Sequence, residues 1–235
     1  MLEKLIVGRY ISFKDPKPKL TYADGSFLTQ PKLAITMEQS VREKLLVPKW
    51  DAKAQELVRD GNVTVEVRQN QRVSQMTAGA NPEQAKVHRN FQWLGYYGGA
   101  VSQVSFDNLD VLSGNFSGCW MTVYKKDGIR RVCHVGTVDE PAHNKTIAAK
   151  KAWNEFAQAN PMNIEGGFSP ARAWSHPDSV PAKIDGDGIG RIWGLVTRDE
   201  MVSIYLYRGE RYPDRFRIAA VKVVPPSHMP ALGNL

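Results

Sequence analysis

An α+β fold, with helices set beside a sheet-rich core, is predicted by three features of the chain. Apolar and polar residues alternate around Val63, Val65 and Val67, and β-rich runs recur between Val101 and Val138 and between Arg191 and Val224. Apolar stripes at helical spacing occupy two segments between Thr36 and Asp60 and a third after Asn144. The 235 residues are 42% hydrophobic, enough for one substantial core, and no repeat, coiled coil or low-complexity tract divides them, so residues 1–235 are read as one domain.

The elements follow in chain order. Residues 1–35 read as an irregular arm, since 8–35 are polar and broken by Pro16, Pro18, Gly25 and Pro31. Thr36 and Gln39 fit a capping box, Met37, Val41 and Leu45 stack at four-residue spacing, and Pro48 ends the helix they predict. A second helix is predicted from Asp51 to Asp60, with Ala54, Leu57 and Val58 as its stripe and Gly61 as its stop. The alternation at Val63–Val67 opens the sheet, and Asn81-Pro82 suits the start of a short helix. Phe91–Gly99 then reads as strand or close-packed loop.

A meander of short strands is expected between Val101 and Val138. Asn144 should cap a helix with Ala149, Ala152, Trp153 and Phe156 along one face and Pro161 at its end. Residues 161–190, rich in Gly, Pro and Ser, read as one long loop. Three strands close the sheet at 191–196, 202–207 and 216–224, with a turn near Gly209 and Pro213.

Chemistry enters at the hairpin around Asp127-Gly128, a strong two-residue turn signal between β-rich runs. Pairing Lys126 with Ile129 sets Val123 against Val132, Thr122 against Cys133, Met121 against His134 and Cys119 against Gly136. Cys119 and His134 then share a face as diagonal neighbours, about 7 Å apart at the backbone. A slip of one residue would put them on opposite faces. This places a thiol nucleophile, Cys119, beside a base, His134, and Gly136 opposite the thiol leaves room for a substrate. Ser117 and Gly118 precede the thiol and suit an oxyanion-binding backbone. Cys133 falls on the other face, beyond disulfide reach of Cys119, and is assigned to the core.

Ser117-Gly118-Cys119 with His134 fifteen residues on resembles the Ser-Gly-Cys and His pattern of the cytotoxic necrotizing factor deamidases and of Burkholderia lethal factor. The resemblance covers residues 95–140. The family's motif begins with Leu where this chain has Phe116. It implies a β-sandwich-like core of mixed and antiparallel strands flanked by helices, and a deep site in which a backbone carbonyl orients the histidine, with Ser113 in that neighbourhood. The implied activity is thiol-dependent hydrolysis of a protein glutamine carboxamide, by a monomeric bacterial toxin or effector that needs no metal or organic cofactor. Its implied target is a host protein, such as a small GTPase or a translation factor, reached in the host cytoplasm after secretion or delivery.

The net charge of +7 and pI near 9.4 favour an acidic partner surface, but Lys125-Lys126, Arg130-Arg131 and Lys150-Lys151 are short clusters rather than a basic arm. No secretion signal is found at the N-terminus and no apolar stretch of about 20 residues predicts a membrane span. Two cysteines are too few for a disulfide scaffold. Asp185 and Asp187 resemble the start of a calcium loop, but Ile189 and Val196 stand where oxygen ligands belong. Asp139, Glu140 and His143 lack a second ligand cluster.

Two rival functions stay open. One is a basic nucleic-acid- or protein-binding module stacking bases on Trp93, Tyr96 and Tyr97, although nucleic acid is not the partner the thiol reading expects. The other keeps the thiol but performs transglutamination or proteolysis.

Overall fold

In a computed structural model the described residues are 5, 7–12, 21–30, 32, 34–40, 43–46, 49–51, 56–58, 62–65, 87–211 and 214–225. They form an α+β structure that is mostly sheet, in three layers: a closed barrel, a five-stranded sheet packed on it, and one α-helix on the far side of that sheet.

The barrel contains β1 (Tyr10–Ser12), β3 (Ala34–Ser40), β8 (Val87–Leu94), β10 (Val111–Gly114), β14 (Asp187–Val196), β15 (Met201–Gly209) and β16 (Arg215–Val224). Its ring runs β1, β16, β15, β14, β10, β8, β3 and closes through pairing of β3 with β1. All of these pairings are antiparallel except β10 with β8. Alternation along β10, β14 and the end of β8 splits their side chains between the barrel interior and the neighbouring sheet. Trp93, Leu112, Trp193 and Leu195 fill the barrel, whereas Leu94, Val111 and Val196 face outward.

The second sheet has the order β13 (Ile164–Phe168), β11 (Trp120–Lys126), β12 (Ile129–Val135), β9 (Val101–Ser105), β2 (Phe27–Thr29). Asp127 and Gly128, both at positive φ, make the two-residue turn, and the register runs from Lys126↔Ile129 to Trp120↔Val135, as the turn predicts. Met121, Val123 and Val132 pack toward the barrel. Trp120, Tyr124, Cys133 and Val135 pack toward the helix α1 (Asn144–Ala159), against Ala149 and Trp153. Phe156, on the same stripe, meets Tyr124 with ring centroids 4.7 Å apart.

Several expectations are corrected. The helices predicted from Thr36 and from Asp51 are strands: β3, β4 (Glu43–Leu46), β5 (Lys49–Asp51) and β6 (Glu56–Val58). The four-residue spacing of Met37, Val41 and Leu45 is an even number, so it satisfies a strand's period of two as well as a helical one. Antiparallel pairing of β3 with β8, from Ala34↔Gln92 to Gln39↔Val87, decides between them. Residue 41 lies outside the described residues, as do 52–55, 59–61, 67 and the suggested helix at 81–82. The remainder of the alternating segment is β7 (Asn62–Val65), paired with β4.

The N-terminal arm is not wholly irregular, because β1 joins the barrel and β2 pairs in parallel with β9. Nor is 101–138 a single meander, since β10 leaves the hairpin's sheet for the barrel. The stretch 161–190 is not one loop: it contains 3-10 turns, β13 and the start of β14. His143, rather than Asn144, caps α1, its Nδ1 accepting from Lys145 N at 3.1 Å.

Candidate functional site

The hairpin and the barrel wall together build the candidate site. His134 follows Val132 in parity on β12 and so faces the barrel, on the side where Cys119 packs with Met121. Ser113 on β10 shares the parity of outward-facing Val111 and meets His134 across the layer boundary, Oγ to Nδ1 at 2.8 Å. The same hydroxyl donates to Leu94 O at 2.7 Å. A hydroxyl has one proton, so with that proton on Leu94 O the Ser113 oxygen accepts from Nδ1–H. His134 therefore carries its lone pair on Nε2, which is buried and has no hydrogen-bond partner among the described residues. The carbonyl implied by the resemblance is present only at one remove, through the Ser113 hydroxyl.

Phe116 stacks on the imidazole at 4.3 Å and 10°, and Tyr96 lies against it at 5.3 Å. Gly194, opposite Ser113 in the β10–β14 register, makes this packing fit: a Cβ there would come within 3.1 Å of Phe116 and 2.9 Å of Met121 Sδ.

Cys119 and His134 are 1% and 0% exposed, and no hydrogen bond joins them. The thiol instead donates to Thr137 O and accepts from Thr137 Oγ1, both at 3.4 Å. Tyr96 donates to the same Thr137 O at 2.8 Å. Burial pushes the Cys119 thiol up, opposed by hydrogen bonds from Thr137 and the Gly118 backbone. Burial pushes His134 down to about 3. The resting pair is thus a neutral thiol and a neutral imidazole, not a preformed ion pair. Cys133, on the opposite face, is pushed up to about 12 by burial.

The histidine has a consequence for stability. Its folded pKa lies below an unfolded value of about 6.5, so between the two the unfolded chain binds a proton that the folded chain does not. Stability is complete above about pH 6.5 and falls as the pH drops toward 3, by on the order of 1 kcal/mol per pH unit. Urea midpoints measured at decreasing pH should show this slope in the wild type and a shallower one in His134→Gln. Equal slopes would remove His134 as its source.

A cleft of about 500 Å³ opens beside the thiol. Gly118 and Thr137 line it, together with Ser117, Asp139, Lys150 and Arg172. Gly118 is exposed there, with Thr137 Oγ1 3.5 Å from where a Cβ would sit, and the Ser117 hydroxyl donates to Asp139 Oδ1 at 3.0 Å. Gly136 does not leave room for a substrate. The Tyr97 carbonyl and, 3.0 Å from where a Cβ would sit, the Ala100 carbonyl fill that space. The approach to the thiol is therefore from the Gly118–Thr137 side.

Thr137 was not singled out by the motif, yet the hairpin register extended two residues beyond Trp120↔Val135 sets it opposite Gly118. The aromatics of the binding-module reading are mostly core: Trp93 and Tyr97 are buried, and Tyr96 is half-buried against His134.

Among the described residues no cluster of three His, Cys, Asp or Glu side chains could hold a metal ion, and no helix is long and apolar enough to cross a membrane. Comparison with known protein families and with curated proteins finds no match to this chain.

Proposed function

We propose that the protein is a cysteine-dependent glutamine deamidase. The observation that carries this reading is the His134 imidazole, fixed at Nδ1 by Ser113 and holding an unpartnered Nε2 on the sheet face that bears the Cys119 thiol. A buried neutral base beside a buried neutral thiol suits a proton transfer that accompanies attack rather than precedes it. Transfer of the thiol proton to Nε2 requires the Cys119 side chain to leave its hydrogen bonds with Thr137.

In the first step Sγ bonds to the glutamine carboxamide carbon as its proton passes to Nε2, and backbone N–H groups near Gly118 receive the developing oxyanion. The intermediate collapses with cleavage of the C–N bond, and ammonia leaves with the proton from Nε2–H. Water, deprotonated by Nε2, then attacks the thioester, giving glutamate and returning the proton to sulfur. The partner is a host protein of the small GTPase or translation-factor type, following the resemblance of residues 95–140.

The test is mass spectrometry of host-cell proteins incubated with the wild-type chain, Cys119→Ser or Cys133→Ser. The reading expects glutamine-to-glutamate conversion with the wild type and Cys133→Ser, and none with Cys119→Ser. Incorporation of added methylamine would indicate transglutamination, and chain cleavage a protease. Absence of any Cys119-dependent product would end the thiol reading.

A further inference from the structure

We propose that the cleft beside Cys119 receives an acidic stretch of polypeptide, with a carboxylate flanking the target glutamine held by Arg172; this rests on the deamidase reading above. The cleft is lined by Thr137, whose carbonyl and hydroxyl both contact Cys119 Sγ, so an occupant of the cleft lies one residue from the nucleophile. Its volume falls within the ~300–1,000 Å³ typical of binding pockets, which admits a short run of residues and not just one side chain.

The charges of the cleft are two cations and one anion. Lys150 reaches it from α1 and Arg172 from the 3-10 turn Pro170–Trp174. Asp139 accepts from the Ser117 hydroxyl at 3.0 Å and Lys150 is itself engaged within the fold, which leaves Arg172 as the primary anchor. Arg172 is the sharper indication. Its guanidinium lies over the Trp120 ring, 5.1 Å from the centroid, and makes no hydrogen bond or ion pair among the described residues. An indole face holds a guanidinium in one plane and leaves its N–H edges for an acceptor, and a carboxylate matches that fork with two parallel bonds. The side chain is exposed, yet Trp120 beneath it is buried at the cleft wall. The +7 charge of the chain would assist the approach of an acidic segment.

The experiment uses rhodamine-labelled synthetic peptides, each with a central glutamine flanked by Glu, by Ser or by Lys, and reads binding to the full chain by fluorescence anisotropy. The Glu-flanked peptide should bind best, and Arg172→Gln should weaken it about tenfold, as expected for loss of a charged hydrogen bond. Lys150→Gln should weaken it less, and Lys125→Gln with Lys126→Gln, remote on the hairpin, should leave it unchanged. Equal weakening by the hairpin pair would reduce the effect to diffuse charge and overturn the proposal. So would equal binding of the three peptides, or oligothymidylate displacing the Glu peptide and itself requiring Arg172, which would make the cleft a nucleic-acid site. Cys119→Ser should bind the Glu peptide normally while releasing no ammonia from it. Binding without Cys119-dependent ammonia release in the wild type would sink the deamidase reading, and release without charge preference would sink only the proposal about the cleft.

Discussion

His134→Ala is expected to slow turnover of a glutamine substrate by about 10²–10⁴-fold, the usual contribution of a positioned general base. Ser113→Ala should slow it by up to about 100-fold through misplacement of the ring. Ser113 acts through the imidazole, so a positioning role requires more than a lost rate. With its hydroxyl gone, Nδ1 no longer has the acceptor that keeps the lone pair on Nε2, and Leu94 O loses its donor. Ser113→Thr, which retains the hydroxyl, should recover most of the rate at unchanged KM. A Thr variant as slow as the Ala variant, both folded, would assign Ser113 to packing alone.

The pH profile supplies a second reading of the same pair. Burial keeps His134 unprotonated down to about 3 and raises the thiol, so both groups hold one protonation state from about pH 5 to about pH 8. The wild-type rate should be flat across that interval. A steep acidic limb near pH 6 would show instead that a thiolate–imidazolium pair is the reacting form.

The sequence was most legible where structure is local. Asp127-Gly128 sets a register that holds for seven successive pairs, because the turn fixes the pairing next to it. The α1 stripe and the last three strands were likewise readable from spacing within a few residues. Legibility failed where the partner is distant. The pairing of β3 with β8 joins residues about fifty positions apart, and an even apolar spacing in between fits either period. The site divides in the same way. Cys119 and His134 share a face by hairpin arithmetic, but the Ser113–His134 bond crosses from one sheet to another, and no local pattern reports that β10 pairs in the barrel. The state of the thiol was hidden for a related reason: its burial comes from the layer above it, and that burial raises a pKa that proximity to a histidine alone would be expected to lower.

Asp187→Ala is expected to lower the unfolding free energy by about 3–5 kcal/mol, the cost of removing one member of a buried ion pair. Asp187 opens β14 and Arg217 is the third residue of β16, and their side chains are 3% and 8% exposed. Arg217 Nε donates to both carboxylate oxygens at 3.1 Å, and Nη2 reaches Asp187 Oδ2 and, at 3.2 Å, Ala182 O. Asp187 Oδ2 also accepts from Ile184 N at 2.9 Å, so one carboxylate ties residues 182–187 to the barrel wall. Its commitment to Arg217 also accounts for an aspartate in a glycine-rich run without a cation. Removing the carboxylate strands a guanidinium that the Tyr207 ring, 5.3 Å from its centre, cannot neutralise. Asp187→Ala with Arg217→Met removes both charges and should be more stable than Asp187→Ala alone, since the penalty lies in the unpaired cation and not in the missing bond. Urea unfolding of the two single variants and the double completes the cycle. A loss under about 1 kcal/mol in Asp187→Ala would mean that water reaches the pair and that the segment before β14 is held by other contacts.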